Sequence, residues 1–233
     1  ARIIGLGHQR ARGVKGGAII DLEAAEHSIR LAIDAAERMA RVEVRSVIVN
    51  MTGGRLKSEA FTAEVSLRGQ GVSDGDIRRV FEAMSFTGAE TGRSVLHSLP
   101  TGFAIDETRH IRDPHGMIGE RLGVDMHILT SDEYAIRNLM LAVERCHVGV
   151  EAVVASPYAS GLSSLVDDEA EMGVAVVELG GGTTSVGVFH SGECVFTDVV
   201  RLGGAHVTND IVQGLNTPVV HAERMKTLYG SAT

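Results

Sequence analysis

Tryptophan is absent from this 233-residue chain, and aromatic residues make up only 4% of it, so a packed interior has to be assembled from valine, isoleucine, leucine and alanine. Cysteine occurs twice, at Cys146 and Cys194, too few and too scattered for a disulfide framework and in keeping with a reducing cytoplasm. The ten histidines show no paired ligand spacing, so no metal site of the zinc type is expected; His110 and His115 come nearest, and neither falls on a regular element. No apolar run approaches the ~20 residues of a membrane-spanning helix, and no signal peptide is visible. Basic residues are the scarcer charge. The 22 Lys and Arg against 30 Asp and Glu give a formal net charge of −8, which argues against nucleic acid as a partner. The imbalance is uneven: from Glu151 onward there are ten acidic and three basic side chains, whereas the first seventeen residues hold Arg2, Arg10, Arg12 and Lys15 and no acid. No internal repeat at solenoid period is apparent.

What is present suffices for a folded protein. Hydrophobic residues make up 44%, enough for more than one compact unit. The chain opens in an apolar stretch and stops just after a helix, and reads as a piece of something longer. Arg2 to Leu6 is expected as a short strand followed by a glycine-rich loop. Asp21 can cap a helix in which Leu22, Ala25, Ile29, Ala32, Ile33, Ala36 and Met39 recur on one face. Val44 to Asn50 reads as a strand, and Thr52-Gly53-Gly54 as a hairpin turn rather than a phosphate loop, because no helix start follows. Phe61, Ala63, Val65 and Leu67 alternate as a half-buried strand. Ser73 can cap a helix from Asp74 to about Met84, with Ile77, Val80, Phe81 and Met84 inward and Arg78 and Arg79 outward.

Ser94 to Pro100 and Gly102 to Ile105 read as strands broken by Pro100, residues 112–116 as a turn, and Val124 to Leu129 as another strand. Thr130 with Glu133 predicts a capping box for a helix through about Cys146, buried along Ile136, Leu139, Met140 and Val143; Cys146 is expected to be inert core. Val150 to Ala155 is a strand, and Ser156-Pro157 starts a helix that ends near Val166. Asp167-Asp168-Glu169 reads as an exposed acidic loop. Val207, Ile211, Val212 and Leu215 define a helix, Thr217-Pro218 starts the last one, and Gly230 closes it. Strands and helices alternate with antiparallel hairpins, so the fold class is mixed α/β.

Residues 173–200 are the most informative stretch. A strand ending in Glu178 and Leu179 meets Gly180, Gly181, Gly182, Thr183 and Thr184, a second strand runs from Ser185 to Phe189, and His190-Ser191-Gly192 turns into a third. Three successive glycines weaken a sheet unless something needs the space. Without Cβ atoms they let main-chain N–H groups approach a ligand, and phosphate oxygens suit such donors. Thr183 and Thr184 add hydroxyls, and Glu178 puts a carboxylate where water or a metal's hydration shell could be held. A glycine-rich bulge in an antiparallel sheet fits the triplet equally well.

The segment resembles the second phosphate loop of the actin/Hsp70 ATPase superfamily, in which an acidic residue and an apolar residue precede Gly-Gly-Gly-Thr. Leu202-Gly203-Gly204 opens a helix in the same manner, and Ala222-Glu223-Arg224-Met225-Lys226 resembles the superfamily's adenosine-contacting helix. The resemblance implies ATP with Mg²⁺, phosphates on Gly180 to Thr184 and Gly204, and the nucleoside on Glu223 and Lys226. It gives Glu178 the catalytic carboxylate, orienting Mg²⁺-bound water, where the superfamily usually has Asp; the added methylene keeps the charge but moves it, and turnover is expected to be slow at most.

A narrower resemblance is carried by Gly119-Glu-Arg-Leu-Gly-Val-Asp-Met-His-Ile-Leu-Thr, Val95-Leu-His-Ser-Leu-Pro, Arg112-Asp-Pro-His-Gly-Met, Val143-Glu-Arg-Cys-His and Gly203-Gly204. From Ile3 to Gly230 the chain is similar to the FtsA family of bacterial cell-division actin homologues. That implies a partial actin-like ATPase fold with a small inserted α/β subdomain. Residues 1–44 and 122–155 would belong to the first actin-like subdomain, 45–121 to the insert, and 156–233 to the second half. It further implies self-association into filaments, FtsZ bound through parts of the parent outside this chain, later division proteins recruited through 45–121, and attachment to the membrane surface through a terminal helix also outside it. The expected location is the cytoplasmic face of the inner membrane at the division site. An Hsp70-like chaperone ATPase and a pilus-assembly actin-like scaffold are the competing readings.

Overall fold

The computed structural model describes residues 2–84 and 92–231. A small hairpin, β1 (Val14–Lys15) with β2 (Ala18–Ile19), precedes α1 (Leu22–Ala40). The chain continues through β3 (Ser46–Met51), β4 (Lys57–Ser66), α2 (Asp74–Ala83), β5 (Arg93–Ile105), β6 (Thr108–Ile111), β7 (Arg121–Asp132), α3 (Glu133–Glu144) and β8 (Gly149–Ala155). It ends with α4 (Ser156–Ser164), α5 (Asp167–Met172), β9 (Val174–Leu179), β10 (Thr184–His190), β11 (Glu193–Val200), α6 (Gly204–Leu215) and α7 (Val219–Tyr229).

β3 and β8 are parallel neighbours. Parallel strands need a crossover, and here the crossover has grown into a sheet of its own, antiparallel, in the order β4-β7-β5-β6. Leu67, Val72, Val80, Ile105, Leu122, Val124, Met126 and Ile128 form its core under α2. β7 lies in the middle and is buried on both faces, so its even-numbered side chains enter that core while His127, Leu129 and Ser131 face the rest of the chain. β11-β10-β9 form a separate antiparallel meander, and β11 packs against β4, β5 and β7.

Several local expectations hold. Asp21 caps α1, accepting the Ala24 N–H at 3.1 Å, and Ser73 forms a capping box with Asp76 at α2. Others are corrected. Residues 2–6 form no strand. A Cβ on Gly5 would lie 2.5 Å from the Ala36 oxygen and one on Gly7 1.8 Å from the Ala32 oxygen, so this backbone is pressed on α1 and, among the described residues, pairs with no strand. Thr52-Gly53-Gly54 is not a hairpin turn, because β3 pairs with β8 and β4 with β7; the bend carries the chain from one sheet to the next. Pro100 does not divide two strands. β5 runs through it with a register shift between Pro100 and Gly102, which accommodates the missing N–H.

β7 outruns its expected end, so Thr130 stays in the sheet, where its Oγ1 accepts Arg93 Nε at 2.9 Å. Asp132 caps α3 instead, accepting the Ala135 N–H at 3.0 Å. Ser156 is the first residue of α4 rather than its cap. Asp167-Asp168-Glu169 is the first turn of α5 and not a loop; acidic side chains suit the positive end of a helix, and Glu169 bonds back to the Val166 N–H at 3.2 Å. Phe81 remains 37% exposed and meets Phe103 edge-on. β6 is a strand that the sequence reading lacked.

Candidate functional site

Cross-strand register sets Glu178 opposite Ser185 and Leu179 opposite Thr184, which makes 180–183 the connecting bend. The Gly180 N–H donates to the Thr183 oxygen at 2.8 Å and closes the turn. Behind it stands the N-terminus of α6. The Gly204 N–H donates to the Gly180 oxygen at 3.0 Å and the Ala205 N–H to the Gly181 oxygen at 2.8 Å. Thr184 Oγ1 donates to the Leu202 oxygen at 2.8 Å. Gly203 is required for this approach, since a Cβ there would come 2.4 Å from the Gly180 oxygen. The first amides of α6 are thus engaged by the bend's carbonyls, and the positive end of the helix backs the loop.

The opposite side of the bend is open. Gly181 is exposed, and a Cβ on it would meet nothing within 4 Å. Among the described residues no acceptor is bonded to the N–H of Gly181 or Gly182. A Cβ on Gly182 would approach the Gly16 nitrogen at 3.3 Å, and one on Gly17 would approach Gly53 at 2.6 Å. Three glycine-bearing turns, at 16–17, 53–54 and 180–182, therefore converge. Next to them Thr52 Oγ1 and Ser156 Oγ lie 2.8 Å apart and join the 52–54 bend to the start of α4.

Glu178 is half-buried, and its Oε2 accepts the Ser185 hydroxyl at 2.8 Å. Glu223 and Lys226 project from α7 toward α6. Lys226 Nζ donates to the Gly204 oxygen at 3.0 Å, to Thr208 Oγ1 at 2.9 Å and to Glu223 Oε2 at 2.8 Å. Thr208, 3% exposed, sends its hydroxyl to Glu223 Oε2 at 2.5 Å. The Lys226 ammonium first, and the Thr208 hydroxyl second, hold the Glu223 carboxyl below the usual carboxylate range. One continuous hydrogen-bonded path thus links Gly180, Gly204, Thr208, Lys226 and Glu223, with Gly181 held beside it by Ala205, while Glu178 stands apart on the meander.

The sequence reading missed Thr208, Ser185, Gly203's packing role and the Gly16–Gly17 turn. A threonine four residues after Gly204 was the available sign of Thr208, because that spacing stacks it on the same helix face. Nothing local marks Gly16 and Gly17, whose partners lie far along the chain. Among the described residues no group of three or more His, Cys, Asp and Glu is placed to hold a metal. No helix among them is long and apolar enough to cross a membrane.

The mixed α/β chain has the actin-like ATPase fold, which solved structures share. One chain of the PilM–PilN type IV pilus biogenesis complex superposes with a TM-score of 0.66 at 15% identity, over 93% of this chain and 59% of that one. The ethanolamine utilization protein EutJ from Carboxydothermus hydrogenoformans gives 0.52 at 15% identity, over 94% and 50%. At that identity the likeness is one of fold.

Sequence comparison is narrower. A family profile described as the SHS2 domain inserted in FTSA matches residues 53–130, and one for cell division protein FtsA matches 175–233; together they take in more than half of the chain. Cell division protein FtsA of Rhizobium meliloti is 53% identical over 230 residues, 99% of this chain and 52% of the relative. Those of Bacillus subtilis and Escherichia coli are 34% and 33% identical over 99% of this chain. The chain belongs to the FtsA family, and it spans about half the length of the curated relatives it matches.

Proposed function

We propose that this chain is the part of an actin-like cell-division adaptor that carries its insert and one wall of its ATP site. The observation that carries the reading is the bend at 180–183. Its carbonyls are bonded to α6 while, among the described residues, the N–H groups of Gly181 and Gly182 have no acceptor and Gly181 borders open space, an arrangement that suits phosphate oxygens. Thr183 and Thr184 flank the bend, and Gly204 carries it to Lys226 and Glu223, the pair assigned to the nucleoside. The residues fit the group, because a side chain at Gly181 would fill the space a phosphate needs. When bound, ATP with Mg²⁺ supplies the polarised phosphoryl group and its charge-balancing cation. The protein's own contribution is fixed donors that need no reorganisation. Glu178 is assigned the orientation of water, with Ser185 holding one of its oxygens; the Glu carboxylate in the place usually held by Asp goes with slow turnover.

In this reading the insert is the unit built on β4, α2, β5, β6 and β7, so the boundary expected at 121 moves to the end of β7, and β3, paired with β8, goes with the first actin-like subdomain; residues 156–233 serve the second half. The whole protein polymerises, links FtsZ filaments to the cytoplasmic membrane at the division site through parts outside this chain, and recruits later division proteins through the insert. The matched insert profile and the cell-division relatives support it. Two experiments test it. Titration calorimetry of the intact protein should find ATP binding that Gly181→Asp abolishes, and unchanged affinity would refute the loop assignment. The intact protein should also carry FtsZ onto lipid vesicles in an ATP-dependent manner; no co-sedimentation would remove the adaptor role.

A further inference from the structure

The face of the insert sheet turned away from its apolar core is polar where it meets the rest of the chain. His127, 1% exposed, points from β7 toward β11. Its Nδ1 lies 2.8 Å from the carbonyl oxygen of Cys194, and a carbonyl only accepts, so Nδ1 carries the hydrogen. Its Nε2 lies 2.6 Å from Ser58 Oγ on β4, and that oxygen accepts the Thr197 N–H at 3.3 Å. A neutral imidazole closes the circuit: Thr197 N–H to Ser58, Ser58 O–H to Nε2, Nδ1–H to the Cys194 oxygen. One histidine–serine pair thereby grips β11 at two points.

His97 on β5 makes the companion contact. Its Nε2 accepts the Ala155 N–H at 2.9 Å, at the residue where β8 gives way to α4. The Tyr158 ring of α4 lies against it, with centroids 4.9 Å apart. We propose that these imidazoles form a proton-operated clasp, in which His97 and His127 hold the insert sheet on β8, α4 and β11 only while both are neutral, and protonation of His97 releases it.

The argument is one of donors and acceptors. A proton on His97 Nε2 would point at the Ala155 N–H, so that contact does not survive charging. A proton on His127 Nε2 turns Ser58 into a pure acceptor and leaves its hydroxyl hydrogen without its present partner. Among the described residues the junction already holds one unsatisfied group, the buried Thr197 Oγ1, and a buried polar group left without its partner is destabilising.

α4 offers the Tyr158 phenol and β11 the Cys194 thiol, both pushed up by burial, the thiol to about 11. Glu193, one residue before Cys194, is raised by burial and drawn back by Arg112, and neither imidazole is raised by it. β4 turns Ser58 inward, and alternation sends its Lys57–Glu59 ion pair to the other face. On β8, Glu151 is engaged by Ser46. β5 and β7 present the two histidines to each other. Burial lowers both imidazoles, and the charge of His127 lowers His97 further. The contribution to stability is therefore present above the ordinary imidazole range and lost as pH falls through it. Because Ala155 immediately precedes Ser156, releasing it frees the start of α4, where the 52–54 bend is anchored.

The test is nuclear magnetic resonance on the intact polypeptide from pH 7.5 to 5, following imidazole shifts together with exchange of the Ala155 amide normalised to its intrinsic rate. His97 should charge only below the ordinary imidazole value of about 6.5, and Ala155 protection should fall about tenfold for each pH unit below the point at which it charges. His97→Gln keeps an acceptor for Ala155 but does not titrate, so its protection should stay flat. The clasp is overturned if His97 charges at or above the ordinary imidazole value of about 6.5, if Ala155 protection is unmoved through that titration, or if His97→Gln shows the wild-type fall. Should His97→Gln not fold, the wild-type titration decides alone.

Discussion

Eight buried apolar side chains, centred on Leu122 and Val124 at 0% exposure, make the core of the insert sheet. Around the bend at 180–183 the buried groups are instead hydroxyls, those of Thr183, Ser185 and Thr208, and the main chain bonds directly to α6. Each buried leucine or valine of the first region contributes about 1.5–3 kcal/mol by leaving water, a non-directional gain that tolerates small displacements. The second region depends on backbone atoms meeting at hydrogen-bond distance, which a displacement of half an ångström already weakens. The insert should therefore fail by losing volume and the bend by gaining it.

The largest expected effect breaks the first half of that contrast. Leu122→Ala leaves a cavity between β7 and α2 and should cost about 2–5 kcal/mol, read as a lower urea midpoint of the intact protein. A loss under about 1 kcal/mol would mean that the insert is not held by this core. The second half is broken by comparing two glycines. Gly203→Ala drives a methyl to within 2.4 Å of the Gly180 oxygen and should cost about 1–3 kcal/mol. Gly181→Ala enters open space and should change stability by less than about 0.5 kcal/mol. If thermal melts rank the two the other way, the bend does not rest on α6 as described.

The same contrast governs what could be read beforehand. Asp21, Ser73 and the alternation of Phe61, Ala63 and Val65 act within a few residues, so the α1 and α2 caps and strand β4 were legible. So was the meander around the glycine triplet, since its turns and strands are consecutive. The bend at 52–54 was misread because its meaning depends on β3 pairing with the distant β8, which a local Gly-Gly signal does not report. Thr130 was misread because pairing with Lys57 and Val95 carries β7 past the capping signal to Asp132. In the candidate site, the placing of Glu223 and Lys226 together on one helix could be read from their spacing, but their convergence on Gly204 passes through Thr208, a contact between two helices that no spacing within one helix reveals.

That contact supplies a smaller test. Thr208→Val keeps the shape and removes the hydroxyl from both Lys226 and Glu223, so about 1 kcal/mol should be lost. The Glu223 carboxyl should move back up toward its ordinary value in a carboxylate titration followed by carbon-13 shifts. No movement would show that Lys226 alone sets Glu223 and that Thr208 is only packing.

The smallest effect belongs to the exposed rim of the insert, where neither burial nor glycine packing operates. His115 bonds Asp113 through Nδ1 at 2.6 Å and Asp74 through Nε2 at 2.9 Å, joining the 112–116 turn to the first turn of α2. Asp74 first and Asp113 second raise the imidazole above its usual range, while His115 holds Asp113 below the carboxylate range. A histidine raised in the folded state stabilises fully below its unfolded value of about 6.5, and loses that contribution as pH rises through the folded value. The depressed Asp113 keeps the pair intact until the pH falls into the carboxylate range. His115→Asn should therefore lower the melting temperature slightly at pH 6 and by less at pH 8, and added salt should shrink the difference at pH 6, because the pair is exposed and screened. A deficit that is the same at both pH values would mean that the link is held by the neutral ring, as in the proposed clasp, and the distinction between rim and junction would not stand.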